Sequence, residues 1–125
     1  IGLIRLSGTD RILLARNRRR TSFFSLIAGY VEPGETAEAA FAREALEETG
    51  RRVEDIRYWG SQPWPPSGSL MLGFCARTAD VHPTCHTDGE LEEIRWVERA
   101  ELPELTLPRP GSIAHTMIME WYHGD

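Results

Sequence analysis

Two short apolar runs open the chain, IGLIRL (1–6) and RILLAR (11–16), separated by SGTD. That polar, glycine-containing break reads as the turn of a hairpin between two strands. The basic string NRRRT follows as a loop, and SFFSLIAG supplies a third buried strand ending at Gly29. From Thr36 to Thr49 nearly every residue is a good helix former, and Gly50 offers a natural C-terminal stop. Pro33 and Gly34 punctuate the loop before that helix. VEDIRYWGSQ, SLMLGFCAR and EIRWV read as three further strands, with TADVHPTCHTDGE as a polar loop before the last. LPELTLPRPG is proline-rich, and SIAHTMIMEWY places Ile113, Met117, Ile118 and Trp121 at helical spacing. There is no internal repeat and no low-complexity linker. Strands interleaved with two helices predict a layered domain of the α/β or α+β kind.

Composition narrows the classes. At 125 residues the chain fits one domain with a modest core, and its 41% hydrophobic and 26% charged content is ordinary for a globular protein. No apolar run approaches the length that spans a bilayer, so no membrane partner is expected. A net charge of -5 argues against a general nucleic-acid binder. With only Cys75 and Cys85, a disulfide framework is not expected and a cytoplasmic setting fits. The chain opens without Met and directly in a strand, as part of a longer polypeptide would.

The strongest chemical pattern is REALEE (43–48). Glu44, Glu47 and Glu48 stand at i, i+3 and i+4 and share one helical face, where like charges repel by about a few tenths of a kcal/mol per pair. Ala39, Ala42, Ala45, Leu46 and Thr49 fall on the opposite side, so the helix is expected to pack there while the glutamates point outward. Arg43 neutralises one neighbour; a divalent cation would neutralise the group, and hard oxygen ligands suit Mg²⁺ or Mn²⁺. Taken alone, the spacing fits a solvated acidic face better than a metal site.

The wider context changes this balance. GYVEPGETAEAAFAREALEETGR resembles the Nudix box, a loop–helix–loop signature of 23 residues, at every charged and glycine position. The departure is Arg51, where that family prefers an aliphatic residue. The resemblance implies an α/β/α sandwich with a central mixed sheet, the box helix on one side and the 111–122 helix on the other. It implies hydrolysis of a nucleoside diphosphate linked to another moiety, with divalent metal held by Glu44 and Glu48 and assisted by Glu47. Glu48 would also orient or deprotonate the attacking water, and Arg43 would orient Glu35 or Glu48. The backbone at Ala28 and Gly29 would add a carbonyl ligand. Such chemistry relies on positioning and cations rather than a covalent nucleophile.

Fourteen residues past Glu48 begins QPWPPSGS (62–69). With Ser61 it resembles the SQPWPFPxS motif of the NADH pyrophosphatase branch of that family, with Pro66 and Ser67 replacing the usual Phe-Pro pair. Glu90, six residues before Trp96, matches a downstream metal-binding Glu, and PGSIAH matches the motif holding a substrate-contacting Ala, here Ala114. The branch implies cleavage of NADH or NAD⁺ to AMP and nicotinamide mononucleotide, and the same cut in an NAD-capped RNA. Physically, prolines reduce the ordering cost of a binding segment. An aromatic face stacks on a planar base, while Gln62, Ser67 and Ser69 donate and accept. Gln62, Pro63, Trp64, Pro65, Pro66, Ser67, Gly68 and Ser69 are therefore expected to form a wall of the nucleotide pocket. The alternative is that Trp64 is a core aromatic at a strand kink.

That branch also has an upstream four-cysteine zinc ribbon, which these 125 residues do not contain, and is usually dimeric. The expectation is a C-terminal Nudix domain of a longer homodimeric chain, or a shorter relative. Other readings are a hydrolase for ADP-ribose or another dinucleotide, and a silent nucleotide-binding regulator, which would not need all three helix glutamates. His82, Cys85 and His86 lack a second ligand pair at zinc spacing. Arg16 and Arg18–Arg20 read as an exposed basic loop.

Overall fold

The computed structural model describes residues 1–124. The first hairpin forms as the pattern predicts: β1 (Gly2–Leu6) and β2 (Ile12–Asn17) are antiparallel, with Gly8 at φ 77° in the intervening turn. The third strand is shifted from expectation. β3 spans Arg20–Ser25, so NRRRT is mostly strand and only Arg18–Arg19 turn. The Asn17 side chain accepts from the Arg19 amide at 2.8 Å, closing a tight hairpin that a string of arginines does not announce. Beyond Ser25 the chain leaves β2 and bridges β1 instead, the Gly2 amide donating to the Ile27 carbonyl.

The remaining strands are β4 (Glu54–Trp64), β5 (Ser69–Thr78) and β6 (Leu91–Val97). The sheet runs β3-β2-β1-β5-β4, with β6 paired to β2 over Ile12–Asn17. The β1–β5 pair is parallel and the others are antiparallel, so the sheet is mixed. Helix α1 (Ala37–Thr49) and helix α2 (Ile113–His123) cover opposite faces. Phe41 and Ala45 of α1 pack with Ile4, Leu13, Ile27 and Phe74, whereas Met117, Ile118 and Trp121 of α2 pack with Leu3, Ile12, Leu14 and Val97. Successive residues of β1 and β2 thus feed the two layers alternately, the period-2 logic that makes an α/β/α sandwich. No helix of the described residues is long and apolar enough to cross a membrane.

Two local features position the site. Thr36 caps α1 by accepting from the Ala39 amide at 3.0 Å, and Gly50 ends the helix in the left-handed region at φ 70°. Second, β4 runs two residues beyond the expected Gln62, and Gln62–Trp64 pairs across a hairpin with Ser69–Met71. The turn itself is Pro65–Gly68, with Gly68 at φ 67°. Pro63 is tolerated within a strand because β4 is the sheet edge, where a missing amide proton breaks no ladder. A 3₁₀ helix, Arg99–Glu104, interrupts the region read as merely proline-rich, its start closed by the Glu98 amide donating to the Glu101 carboxylate.

Candidate active site

Helix α1 turns one of its glutamates, Glu48, into the core and leaves Glu47 exposed. Its buried stripe is Phe41, Ala45, Glu48 and Thr49, joined by Ala40, while Leu46 is 37% exposed. The expected packing set of Ala39, Ala42, Ala45, Leu46 and Thr49 is corrected at Ala39 and Leu46. Phe41 is the reason: its ring stacks on Phe74 at 6.1 Å between centroids and sets the helix rotation. With Phe41 and Ala45 inward, Glu48 follows at the i+7 position of the same stripe. Only 6% of it remains exposed.

Arg43 organises the outer carboxylates. Its guanidinium grips Glu35 through two bonds of 2.7 and 2.8 Å. It also donates to Glu44 at 2.9 Å, Glu47 at 3.2 Å and the Tyr30 carbonyl at 3.1 Å. Hydrogen bonding to Arg43 holds the Glu35 carboxyl at about 2, well below the usual range. Of the two partners expected for Arg43, the structure brings Glu35 and not Glu48 into its hydrogen bonds. Gly29 adds a packing constraint, since a Cβ there would stand 2.2 Å from Cδ of Glu44.

Glu48 instead faces Asp88 and Glu90, whose carboxylate oxygens and its own lie within 4.8 Å of one another. Among the described residues none of the three forms an ion pair. Burial, then the charges of Glu44, Asp88 and Glu90, push the Glu48 carboxyl up to about 8. Asp88 was not among the sequence candidates. It sits in an irregular loop forty residues from the helix, and the only local clue is the DGE string, in which the Glu90 amide donates to Asp88 Oδ1 at 3.0 Å. The loop is pinned from both sides. The Asp88 amide donates to the Glu47 carbonyl at 2.8 Å, and Arg18 Nε to the Gly89 carbonyl at 2.6 Å.

Arg51, the departure from the box pattern, belongs to the same scaffold. Buried to 6% exposure, it donates to the Thr49 carbonyl at 2.9 Å and the Val81 carbonyl at 2.8 Å and lies over the Trp96 ring. The helix exit is intact, because Gly50 still donates to the Leu46 carbonyl. A guanidinium thus ties the end of α1 to the loop carrying Asp88 and Glu90. His82, Cys85 and His86 are exposed on that loop.

A cavity of about 630 Å³ opens beside Glu44. Trp64, Ser67 and Ser69 line it, with Leu70–Leu72 of β5, Ala28, Gly29 and Ala114. Gln62, Pro63, Pro65, Pro66 and Gly68 do not line it. Gln62 faces the start of α2, its amide donating to the Gly111 carbonyl at 2.7 Å and accepting from the Ile113 amide at 2.8 Å. Both ends of one side chain thereby fix Ser112–Ala114 against the cavity. Trp64 is 40% exposed and is not a core residue.

An oxygen-only donor set with a buried, uncompensated carboxylate fits a hard divalent cation. Glu48, Asp88 and Glu90, with Glu44 beside them, are the residues that would hold it. The electrostatics carry a stability consequence in the metal-free protein. Glu48 keeps its proton in the fold between the ordinary value of 4.5 and about 8, whereas the unfolded chain has released it. The folded state binds more protons across that window, so stability falls as pH rises, by at most about 1.4 kcal/mol per pH unit for one group. EDTA-treated protein is expected to lose several degrees of Tm, on the order of the shift such an energy gives, between about pH 5 and 8. Mn²⁺ should restore most of that loss at the upper end. A flat Tm across the window would contradict the raised Glu48 carboxyl.

Comparison with known proteins identifies the family. Residues 1–122 match the family model described as NUDIX domain. The chain is 43% identical over 117 residues to "NAD-capped RNA hydrolase NudC" of Edwardsiella ictaluri, covering 93% of this chain and 44% of that protein. It is 41% identical over 129 residues to the Mycobacterium bovis protein of the same name, covering 91% and 41%. The chain therefore spans less than half the length of these relatives. Among solved structures, a NUDIX hydrolase from Nitrosomonas europaea superposes with a TM-score of 0.76 at 24% identity, covering 98% of this chain and 86% of that one.

Proposed function

The chain belongs to the Nudix family, and from that premise we propose that it hydrolyses the pyrophosphate of NADH or NAD⁺ to AMP and nicotinamide mononucleotide. The same cut in an NAD-capped RNA falls within the proposal, as the names of those relatives suggest. The observation that carries it is the juxtaposition of the Glu48–Asp88–Glu90 cluster with a cavity that has Glu44 on one wall and Trp64, Ser67 and Ser69 on another. When bound there, Mg²⁺ or Mn²⁺ would offset charge on the diphosphate oxygens and lower the pKa of a coordinated water. Glu48 is the buried carboxylate at which a proton is held or released, and so the candidate base. Glu35 and Arg43 keep Glu44 in place, and Glu47, half exposed, contributes charge from the rim. The Ala28 carbonyl is kept as a candidate ligand because Ala28 lines the cavity next to Gly29. Ala114 and the Trp64–Ser69 hairpin would contact the base or sugar. Placement in the NADH pyrophosphatase branch, a homodimeric state, a cytoplasmic setting and an origin in a longer chain are parts of this proposal.

The test is product analysis by HPLC over NADH, NAD⁺, ADP-ribose and nucleoside triphosphates with either metal. AMP from NADH or NAD⁺ at the highest kcat/KM supports the proposal. A triphosphate or ADP-ribose as best substrate moves the chain to another branch, and binding without turnover points to a regulator. Trp64→Ala is expected to raise KM about ten- to hundredfold, the worth of one base stacked on an aromatic ring. Metal affinity should hardly change, since Trp64 sits on β4 and the carboxylates elsewhere. Unaltered KM and kcat in the folded variant would remove Trp64 from the pocket.

A further inference from the structure

We propose that Arg18 is a positioning residue for the metal centre: its guanidinium and its backbone amide together hold Glu90 and Asp88 where a divalent cation can meet both. This rests on the metal-dependent part of the reading above, not on which diphosphate is cleaved. The turn Arg18–Arg19 between β2 and β3 is exposed, as a basic loop should be, yet one of its side chains has a partner on another element. Arg18 Nε donates to the Gly89 carbonyl at 2.6 Å, a short bond of the kind a charged donor makes. The Arg18 amide donates to the Glu90 carbonyl at 3.1 Å. Among the described residues Arg18 forms no ion pair, and the Arg19 side chain forms neither an ion pair nor a hydrogen bond.

The two bonds fall on the two peptide units that flank Glu90. The Gly89 carbonyl and the Glu90 amide belong to one planar group, so an orientation imposed at one edge is carried to the other. Arg18 Nε grips the carbonyl edge, and the amide edge donates to Asp88 Oδ1 at 3.0 Å. That plane therefore sets both the start of the Glu90 side chain and the direction of the Asp88 carboxylate. The next unit, Glu90–Leu91, is held by the Arg18 amide, beside the Asn17–Leu91 pair of the β2–β6 ladder. The segment needs such fastening. Residues 81–90 contain no helix or strand, and Gly89, at φ 76°, has the freest backbone among them. The oxygens of Glu48, Asp88 and Glu90 converge within 4.8 Å without an ion pair among the described residues, and like charges that close repel. The Asp88 amide on the Glu47 carbonyl holds the loop from the helix, and Arg18 holds it from the sheet. Coulomb's law alone gives Arg18 the opposite role, because a cation beside a cation site weakens metal binding and its removal should tighten it. Positioning predicts the reverse sign.

The experiment titrates Mn²⁺ into metal-stripped protein without substrate, reading free Mn²⁺ by electron paramagnetic resonance, for wild type, Arg18→Met, Arg18→Gln and Arg19→Met. Glutamine carries its amide nitrogen as many bonds from Cα as arginine carries Nε, so it keeps the donor and drops the charge. Methionine keeps the length and drops both. The expected result is a Kd for Mn²⁺ weakened about tenfold in Arg18→Met, as when a group that orients a metal ligand is lost. Arg18→Gln should recover most of that loss, and Arg19→Met should bind as tightly as wild type or more so. Arg18 is exposed and its backbone bond to Glu90 survives in every variant, so Tm in EDTA should move by only a few degrees. Mn²⁺ bound by Arg18→Met as tightly as by wild type, or more tightly, would overturn the inference. Equal weakening in Arg18→Gln and Arg18→Met would do the same, since the donor would then be immaterial. A KM for NAD⁺ raised in both variants with Mn²⁺ binding unchanged would move Arg18 to the substrate and also overturn it. A wild type that binds no Mn²⁺ would remove the metal centre and this inference together. Metal binding without turnover of any dinucleotide would overturn the activity reading alone, with Arg18 still decided by the titration.

Discussion

Glu48→Gln is expected to lower kcat by about 10²–10⁴-fold, the range seen when a positioned acid–base group is lost, while the protein remains folded. The substitution barely alters volume, so the packing of α1 beside Phe41 and Ala45 is kept. What changes is charge: a carboxylate that is 6% exposed and ringed by Glu44, Asp88 and Glu90 becomes a neutral amide. Removing a crowded buried charge should leave the metal-free variant about as stable as wild type near pH 4 and increasingly more stable than it as pH rises from there to about 8. That opposition of stability and activity marks a functional carboxylate, since a purely structural one would lose both. Near wild-type turnover under saturating Mn²⁺ would end its assignment to the chemistry.

The second large effect should come from a residue with no side chain. Gly29→Ala places a methyl 2.2 Å from Cδ and 2.6 Å from Oε1 of Glu44. The Gly29 backbone does not require a positive φ, so alanine costs no conformational strain there. Glu44 is the flexible party and must swing away, breaking its 2.9 Å contact with Arg43. A loss of about 10–100-fold in kcat/KM with a weaker apparent metal affinity is expected, comparable to disturbing a residue that orients a metal ligand. Because the displaced atoms belong to the far end of one side chain, Tm should change little. Wild-type kcat/KM in the variant would show that the position of Glu44 is immaterial.

These two residues illustrate what was legible in the chain and what was not. The reach of the box helix to within a residue, its Gly50 stop and the adjacency of Glu44, Glu47 and Glu48 depend on neighbours within four residues, and could be read directly. The same holds for the first hairpin and for the helical spacing of Met117 and Trp121. The rotation of α1 could not be read this way. A wheel built on small residues chose Ala39 and Leu46, but a single Phe41–Phe74 contact with the opposing sheet outweighs them and turns Glu48 inward. Gln62 likewise carried the right sequence signal for the wrong partner: its amide binds the start of α2 rather than lining the cavity, because β4 and α2 meet only in the folded chain.

The sequence by itself determined the family, through the resemblance of residues 29–51 to the box signature, and the layered α/β architecture and the carboxylate-rich helix, which follow from local periodicity, capping and residue chemistry. Tertiary structure alone decided that Glu48 is buried and holds its proton to about pH 8, and that Asp88 joins it from forty residues away. It also decided that Arg51 braces the loop carrying Asp88, and that Pro63 lies harmlessly on a sheet edge. Burial and the field at a carboxylate are sums over atoms delivered by other elements. Sheet order and helix rotation set those sums, and neither is encoded within a few residues of Glu48.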